Sequence, residues 1–310
     1  MSATPATTTP GRGSLGAETG VARAWRWLRE HAVNIVAVLV LVYLLIPIVL
    51  IFVFSFNNPA GRYNFTWVGF TLKHWAHPFH DTELTKALLE SIKLALLATV
   101  ISTIIGTMMA IALVRHNFLG RRAANFLIVV PMATPEVVMG ASLLSFFLIL
   151  GTPLGFRTLL IAHVMFCISF VVVVVRSRLI GFDRSLEEAA RDLGADSFTT
   201  FRLVTFPLIL PGIFGAAMLA FALSIDDFVI SNFNAGSTVT FPLYIFGAAQ
   251  RGIPVEVYVV AMILFFCTVA AMGFATFQQR RAEKMTAMRP EQEADIALDI
   301  LEECIALASK

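Results

Sequence analysis

The sequence predicts an all-α polytopic membrane protein with six transmembrane helices, and three observations predict it. Hydrophobic residues make up 57% of the 310 and charged ones 14%, with a mean hydropathy of +0.79, against ~45–50% and ~25% in an ordinary soluble chain. The apolar residues fall in six blocks, 33–54, 94–114, 126–150, 159–175, 207–230 and 255–277, each near the ~20 residues a helix needs to cross a bilayer. The blocks do not alternate every second residue as barrel strands do, and lipid tolerates only helices or closed barrels. Little chain remains for a soluble domain. Three Cys, two of them in apolar blocks (Cys167 and Cys267), make no disulfide framework. A net charge of +2 gives no basic field for nucleic acid.

Taken in order, residues 1–30 read as a disordered cytoplasmic tail ending in an interfacial segment, where Trp25 and Trp27 stand beside arginines. The first block is as long as a span and has no small-residue cleavage site, so it is expected to remain as an anchor. With the N-terminus inside, only Arg62, Lys73, Lys86, Lys93, Arg157 and Arg251 of the 23 Lys and Arg fall on outer segments. That asymmetry favours both termini in the cytoplasm. The outer loop 57–84 is rich in aromatics, which lie on the membrane surface or pack over the bundle. It also carries His74, His77 and His80 three apart; Pro78 interrupts the run, and ordinary loop histidines are the expectation over a metal site. Residues 281–310 form a cytoplasmic tail with a weakly amphipathic stretch and no evident chemistry.

The chain lacks the phosphate-cradling G-x-x-x-x-G-K-[ST] loop, the G-x-S-x-G elbow and H-E-x-x-H. Ser142 and His163 lie in adjacent predicted helices, but nothing else supports them as a nucleophile and base. A transport or scaffold role remains.

The most informative segment joins the fourth and fifth blocks at residues 181–206. Ser185-Leu186-Glu187-Glu188 fits a capping box, with Ser185 as cap and Glu188 bonding back. Ala189 and Ala190 are strong helix formers of little bulk. Gly194 can stop the helix in a left-handed conformation, and Asp196 or Ser197 can cap a second helix. Local chemistry therefore predicts helix, glycine turn, helix on the inner face. By itself it leaves open whether this is a well-capped surface loop or a knob that another protein grips.

Glu188-Ala189-Ala190, three residues, Gly194, nine residues, then Val204-Thr205-Phe206-Pro207 resembles the E-A-A-x3-G-x9-I-x-L-P motif of the permease subunits of bacterial ABC importers. Val204 replaces Ile and Phe206 replaces Leu, with the spacing intact. The likeness runs over about residues 30–280. It is similar above all to polyamine-type permeases, through Ser55-Phe56-Asn57, Trp67-x-Gly69-Phe70-Thr71, Pro135-Glu136-Val137-Val138, Phe221-Ala222-Leu223-Ser224-Ile225-Asp226-Asp227-Phe228 and Phe241-Pro242-Leu243-Tyr244-Ile245. The resemblance implies a type I importer bundle in the bacterial inner membrane, with a permease domain over 31–280. It also implies a second homologous permease, two cytoplasmic ATPase subunits that carry ATP and Mg, and an extracytoplasmic solute-binding protein. This chain would hold no cofactor of its own. Glu188 would contact the ATPase, Ala189 and Ala190 would allow close approach, Gly194 would make the turn, and Pro207 would set the start of span five.

Acids inside apolar blocks are costly, by ~2.5–3.5 kcal/mol at a helix centre. Glu136 falls ~12 residues into the third block, ~18 Å along a helix, after Pro131 and Pro135. It either lines a pathway or bonds a freed amide and fixes packing. Asp226 and Asp227 fall in the outer part of the fifth block, where consecutive helical residues point ~100° apart. One is expected to cap or pair while the other lines the mouth; alternatively the two form a gate pinned to Arg251 or to a partner chain. A cationic solute suits such a path. Two other classes compete: a self-sufficient secondary transporter using these three acids as ion sites, and a membrane scaffold. Neighbouring genes for an ATPase and a binding protein separate the first from the importer; solute-stimulated ATP hydrolysis separates the second.

Overall fold

The computed structural model describes residues 20–277 except 182, 184, 271, 274 and 275. Most of both predicted tails therefore lies outside the described residues. The chain divides into two units, residues 1–53 and 54–310. The first contributes helix α1 (Gly20–Phe54), interrupted in sequence only by Pro47. Because α1 begins at Gly20, the segment 24–30 runs helically into the first span, not as part of an irregular tail.

In the second unit, a folded outer loop leads through the single turn α2 (Lys73–Ala76) to α3 (Thr82–Arg115). Asp81 starts α3 by accepting hydrogen bonds from the amides of Glu83 and Leu84. The third block is not one helix. α4 (Arg121–Ala133) and α5 (Glu136–Ile149) meet at an angle of 111°. Pro135 has no N–H for a helical ladder and disfavours helical backbone at Thr134, and Thr134 is extended, with ψ of 131°. α6 (Phe156–Ile180) follows, then the short helices α7 (Ser185–Asp192) and α8 (Ser197–Thr200). A π-helical turn (Phe201–Thr205) feeds α9 (Phe206–Ile225). α9 stops at Ile225, earlier than the apolar block suggested. α10 (Val229–Asn234), α11 (Phe241–Arg251) and α12 (Val255–Ala270) complete the described chain.

By length and apolarity four helices among the described residues can cross a membrane, or five if the bent pair α4–α5 counts as one broken span rather than a re-entrant loop. α12 reaches 16 residues in the described chain, short of the ~20 of a full span. The all-α membrane reading holds; the expected count of six is not reached by length alone.

The core lies where α3, α6 and α9 pack on one another. Ala110, Val171, Val172, Ala216 and Ala220 are buried there. Small residues let the backbones approach, as interfaces in lipid require. A Cβ added at Gly106 of α3 would stand 2.6 Å from Cγ1 of Val171 on α6, and one at Gly212 of α9 would stand 2.9 Å from the Arg178 side chain.

The outer loop packs rather than straggling. The buried Asn57 side chain donates to Asn64 Oδ1 and to the Thr66 carbonyl, both at 2.6 Å, and accepts from the Val68 amide at 2.8 Å. Phe56 stacks against both Phe70 and Trp75. The loop is tied onward to α12, since His74 Nδ1 lies 3.2 Å from Glu256 Oε1.

Candidate functional site

Two polar regions break the apolar bundle, one on the elbow α7–α8 and one at the break between α9 and α10. The elbow folds for local reasons. The amide of Ser185 donates to Asp183 Oδ1 at 3.0 Å, which holds that carboxyl below the usual carboxylate range. Ser185 is therefore already inside α7, and the expected box with Ser185 as cap is not formed; the acceptor sits two residues earlier. At the other end the prediction holds. Gly194 has φ of +89°, its amide donates to the Arg191 carbonyl at 2.9 Å, and the Ala195 amide donates to the Ala190 carbonyl at 3.0 Å. That pair of bonds is a Schellman stop. Asp196 then caps α8 by accepting from the Thr199 amide at 3.1 Å. The hydrogen bonds from Thr199 hold its carboxyl low.

The chain then runs through the π turn. The amide of Phe206 donates to the Phe201 carbonyl, five residues back. Pro207 follows immediately, where an α-helical ladder would need an N–H that proline lacks and would press its ring on the Leu203 carbonyl. The widened turn sits at that disturbance.

The adjacent acids of α7 separate sharply. Glu187 is buried and Glu188 exposed. Arg115 Nη2, at the inner end of α3, donates to Glu187 Oε1 at 2.5 Å, and Thr205 Oγ1 donates to the same oxygen at 2.5 Å. Glu188 and Ala189 face outward, Ala190 is half-buried, and Gly194 is exposed. Around them stand exposed apolar side chains, Leu193 at 89% and Phe198 and Leu203 at 68% each. Phe198 and Leu203 belong to the stretch Ser197–Ile225, long and apolar enough to cross a membrane, so lipid can cover them; Leu193 stands outside it.

The second region lies between α9 and α10. Asp226 and Asp227 are not helical neighbours on one span, as expected from the block, but occupy a break. Asp227 is buried and accepts from the amides of Ile230 at 3.2 Å and Ser231 at 2.8 Å. It starts α10 in the way a cap does. His163 of α6 spans the break: Nδ1 lies 2.8 Å from Ser224 Oγ, and Nε2 lies 3.1 Å from Ser231 Oγ and 3.4 Å from Asp227 Oδ2. His163 thus pairs with two serines of the break, not with Ser142. Thr158 Oγ1 donates to the Asn234 carbonyl and Asn234 Nδ2 to the Gly140 carbonyl, stitching α10 to α6 and α5.

Asp226 is exposed. Arg251 donates its Nε to the Gly247 carbonyl within α11 and gives no pin for either aspartate. Glu136 does not sit within a continuous span. It opens α5 directly after the 111° bend, exposed, at a helix end whose dipole favours a carboxylate. α5 packs on α10, so the bend and the break belong to neighbouring elements. The elbow residues and the three acids Glu136, Asp226 and Asp227 belong to different elements. Glu187, Ser224 and Ser231 were missed by sequence reasoning as site residues, and His163 was weighed only as a base for Ser142. Glu187 carried a faint signal, a second acid beside the motif.

Comparison with known proteins places both regions in a common frame. Residues 102–284 match the family described as the binding-protein-dependent transport system inner membrane component. The spermidine/putrescine transport system permease protein PotC of Haemophilus influenzae is 39% identical over 240 residues, covering 77% of this chain and 93% of that protein. The putrescine transport system permease protein PotI of Escherichia coli is 35% identical over 251 residues, covering 78% and 88%. Among solved structures, a bacterial ABC transporter involved in the import of the acidic polysaccharide alginate shares the fold, with a TM-score of 0.57 at 20% identity over 87% of this chain and 99% of that one.

Proposed function

The chain belongs to the family of binding-protein-dependent transport system inner membrane components, and from that membership we propose that it is a permease subunit of an ABC importer for polyamines. It is a multi-pass protein of the bacterial inner membrane and a transport subunit. ATP is hydrolysed on two partner ATPase subunits, a second homologous permease completes the path, and an extracytoplasmic binding protein delivers solute to the outer mouth. Both termini and the elbow lie in the cytoplasm, in line with the Lys and Arg asymmetry.

The observation that carries this reading is the elbow itself. Its stop at Gly194 and cap at Asp196 hold a rigid helix–turn–helix whose free face shows Glu188, Ala189, Leu193 and Phe198. Glu188 makes a polar contact with the ATPase, Ala189 and Ala190 permit close approach, and Pro207 marks where the elbow passes into α9. At the outer side, Glu136 and Asp226 offer carboxylates to a cation, while Asp227 holds the break in shape.

The test is the complete complex in proteoliposomes, with partner permease, ATPase and binding protein. Spermidine or putrescine should stimulate ATP hydrolysis and enter the vesicles. Changing Glu188 and Gly194 together should abolish uptake while the protein still inserts. Full uptake by that double variant would remove the docking role, and absence of polyamine stimulation would remove the solute.

A further inference from the structure

We propose that Glu187, the residue before the motif, is the strut through which movement of the elbow enters the bundle. The proposal rests on the coupling reading above and goes one residue deeper. Glu187 and Glu188 are consecutive on α7, so their side chains diverge by ~100°. Glu188 faces outward and is placed to meet a partner. Glu187, at 9% exposure, cannot meet one.

What Glu187 meets is the bundle, at two places and through a single oxygen. Arg115 is the last residue of α3, and Thr205 is the last residue of the π turn, directly before α9. One carboxylate therefore fastens the elbow to the inner ends of two packed core helices. Each has its outer end in the outer machinery. α3 begins at Asp81, which accepts from the hydroxyl of Tyr244 on α11 at 2.9 Å. α9 ends at Ile225, one residue past Ser224, beside the break held by His163. A pull on α7 thus reaches two rods that end at the mouth. The two bonds to Glu187 are charge-assisted, the strong class of hydrogen bond, and the π turn beside Thr205 is the kind of local widening found at functional sites. Glu187 is a positioning residue: it acts through Arg115 and Thr205 and touches no solute.

The strut and the docking face make different predictions, which allows a test. In the reconstituted complex with spermidine, E187Q should leave the ATPase subunits bound, because the exposed face is intact. Solute moved per ATP hydrolysed should fall about tenfold, within the range of ordinary coupling energies. Combining Glu187→Arg with Arg115→Glu should restore a large part of the ratio, a rescue that a general loss of stability would not give. If E187Q does not insert, Thr205→Val, which removes one donor at constant shape, should lower the same ratio less steeply. Wild-type coupling in E187Q, or in Thr205→Val where E187Q cannot be made, overturns the strut while leaving the importer standing. A wild-type complex silent towards every polyamine counts instead against the polyamine as solute, before any variant is compared.

Discussion

Among the described residues the molecule carries two adjacent acid pairs, Glu187–Glu188 on the elbow and Asp226–Asp227 at the break before α10. In each pair one member is buried and the other exposed. The means differ. On α7 the helix itself turns the two side chains apart, and the buried carboxylate is matched by a permanent cation, Arg115. At the break there is no helix to separate them. Asp227 is drawn in by two backbone amides and by His163, and Asp226 is left outside. The lesson is that an acid in a greasy chain is not a functional site by its charge alone. In both pairs the inner acid serves the framework, and the outer one is free to meet something else.

The comparison is broken most severely by removing the buried outer acid. Asp227→Ala leaves the amides of Ile230 and Ser231 without acceptors, at about 1–3 kcal/mol for each orphaned group. The purified complex should lose several degrees in thermal midpoint. Asp226→Ala should stay within about 0.5 kcal/mol of wild type, as exposed substitutions do, and reduce polyamine uptake instead. Equal destabilisation by the two changes would erase the division between them.

A smaller effect is expected from left-handed glycines. Gly194 and Gly120 have φ of +89° and +94°, and nothing lies within 4 Å of a Cβ at either. Each Gly→Val change should cost about 1–2 kcal/mol of backbone strain. Only the one at Gly194 should separate ATP hydrolysis from uptake, because only that turn shapes the elbow. Matching losses of coupling from both would show that strain anywhere on the inner face suffices.

Weaker still, Glu188→Gln should leave the thermal midpoint nearly unchanged and raise the concentration of ATPase subunit needed for half-maximal assembly.

The smallest effect is one of pH. Burial alone would raise the Asp81 carboxyl, but the Leu84 amide, the Tyr244 hydroxyl and the Glu83 amide together hold it below its ordinary value. A depressed carboxyl contributes stability that is fully present above its unfolded value, about 3.9, and is lost as pH falls through the lower folded value. Hydrogen exchange at the Glu83 and Leu84 amides should therefore accelerate, beyond its intrinsic pH dependence, only in that acid window. Asp81→Asn should flatten the response. An unchanged pH response in Asp81→Asn would show that the cap is not its source.

What the sequence disclosed follows the range of the interactions involved. The glycine stop at 194 and the cap at Asp196 are made within a few residues, so their chemistry is readable from neighbours alone. The capping box failed by two residues because Ser185 and Asp183 offer competing acceptors, and only the backbone chooses between them. Glu187 was passed over because its partners lie 72 and 18 residues away. The bend at Pro135 was foreshadowed by its prolines, but a 111° angle also needs the packing of α5 on α10, where a Cβ at Gly140 would stand 2.8 Å from Phe233. The end of α9 was invisible to an apolar run, since no glycine or proline marks Ile225. There the local cue was the aspartate pair, and its meaning depended on a histidine from α6.

The π turn between elbow and bundle has an angular consequence. It accommodates one surplus residue relative to regular α-helix, and a residue is worth about 100° of rotation and 1.5 Å of rise. Deleting Leu203 would convert the turn to ordinary pitch and leave the elbow near its present azimuth, whereas deleting a residue from the regular helix of α9 would dial it roughly a quarter-revolution around that axis. Glu187 would then swing away from Arg115, and the docking face would point along a new azimuth. The widened turn takes up the extra residue and so keeps the elbow in phase with the bundle, as a spacer keeps a cam in time on its shaft.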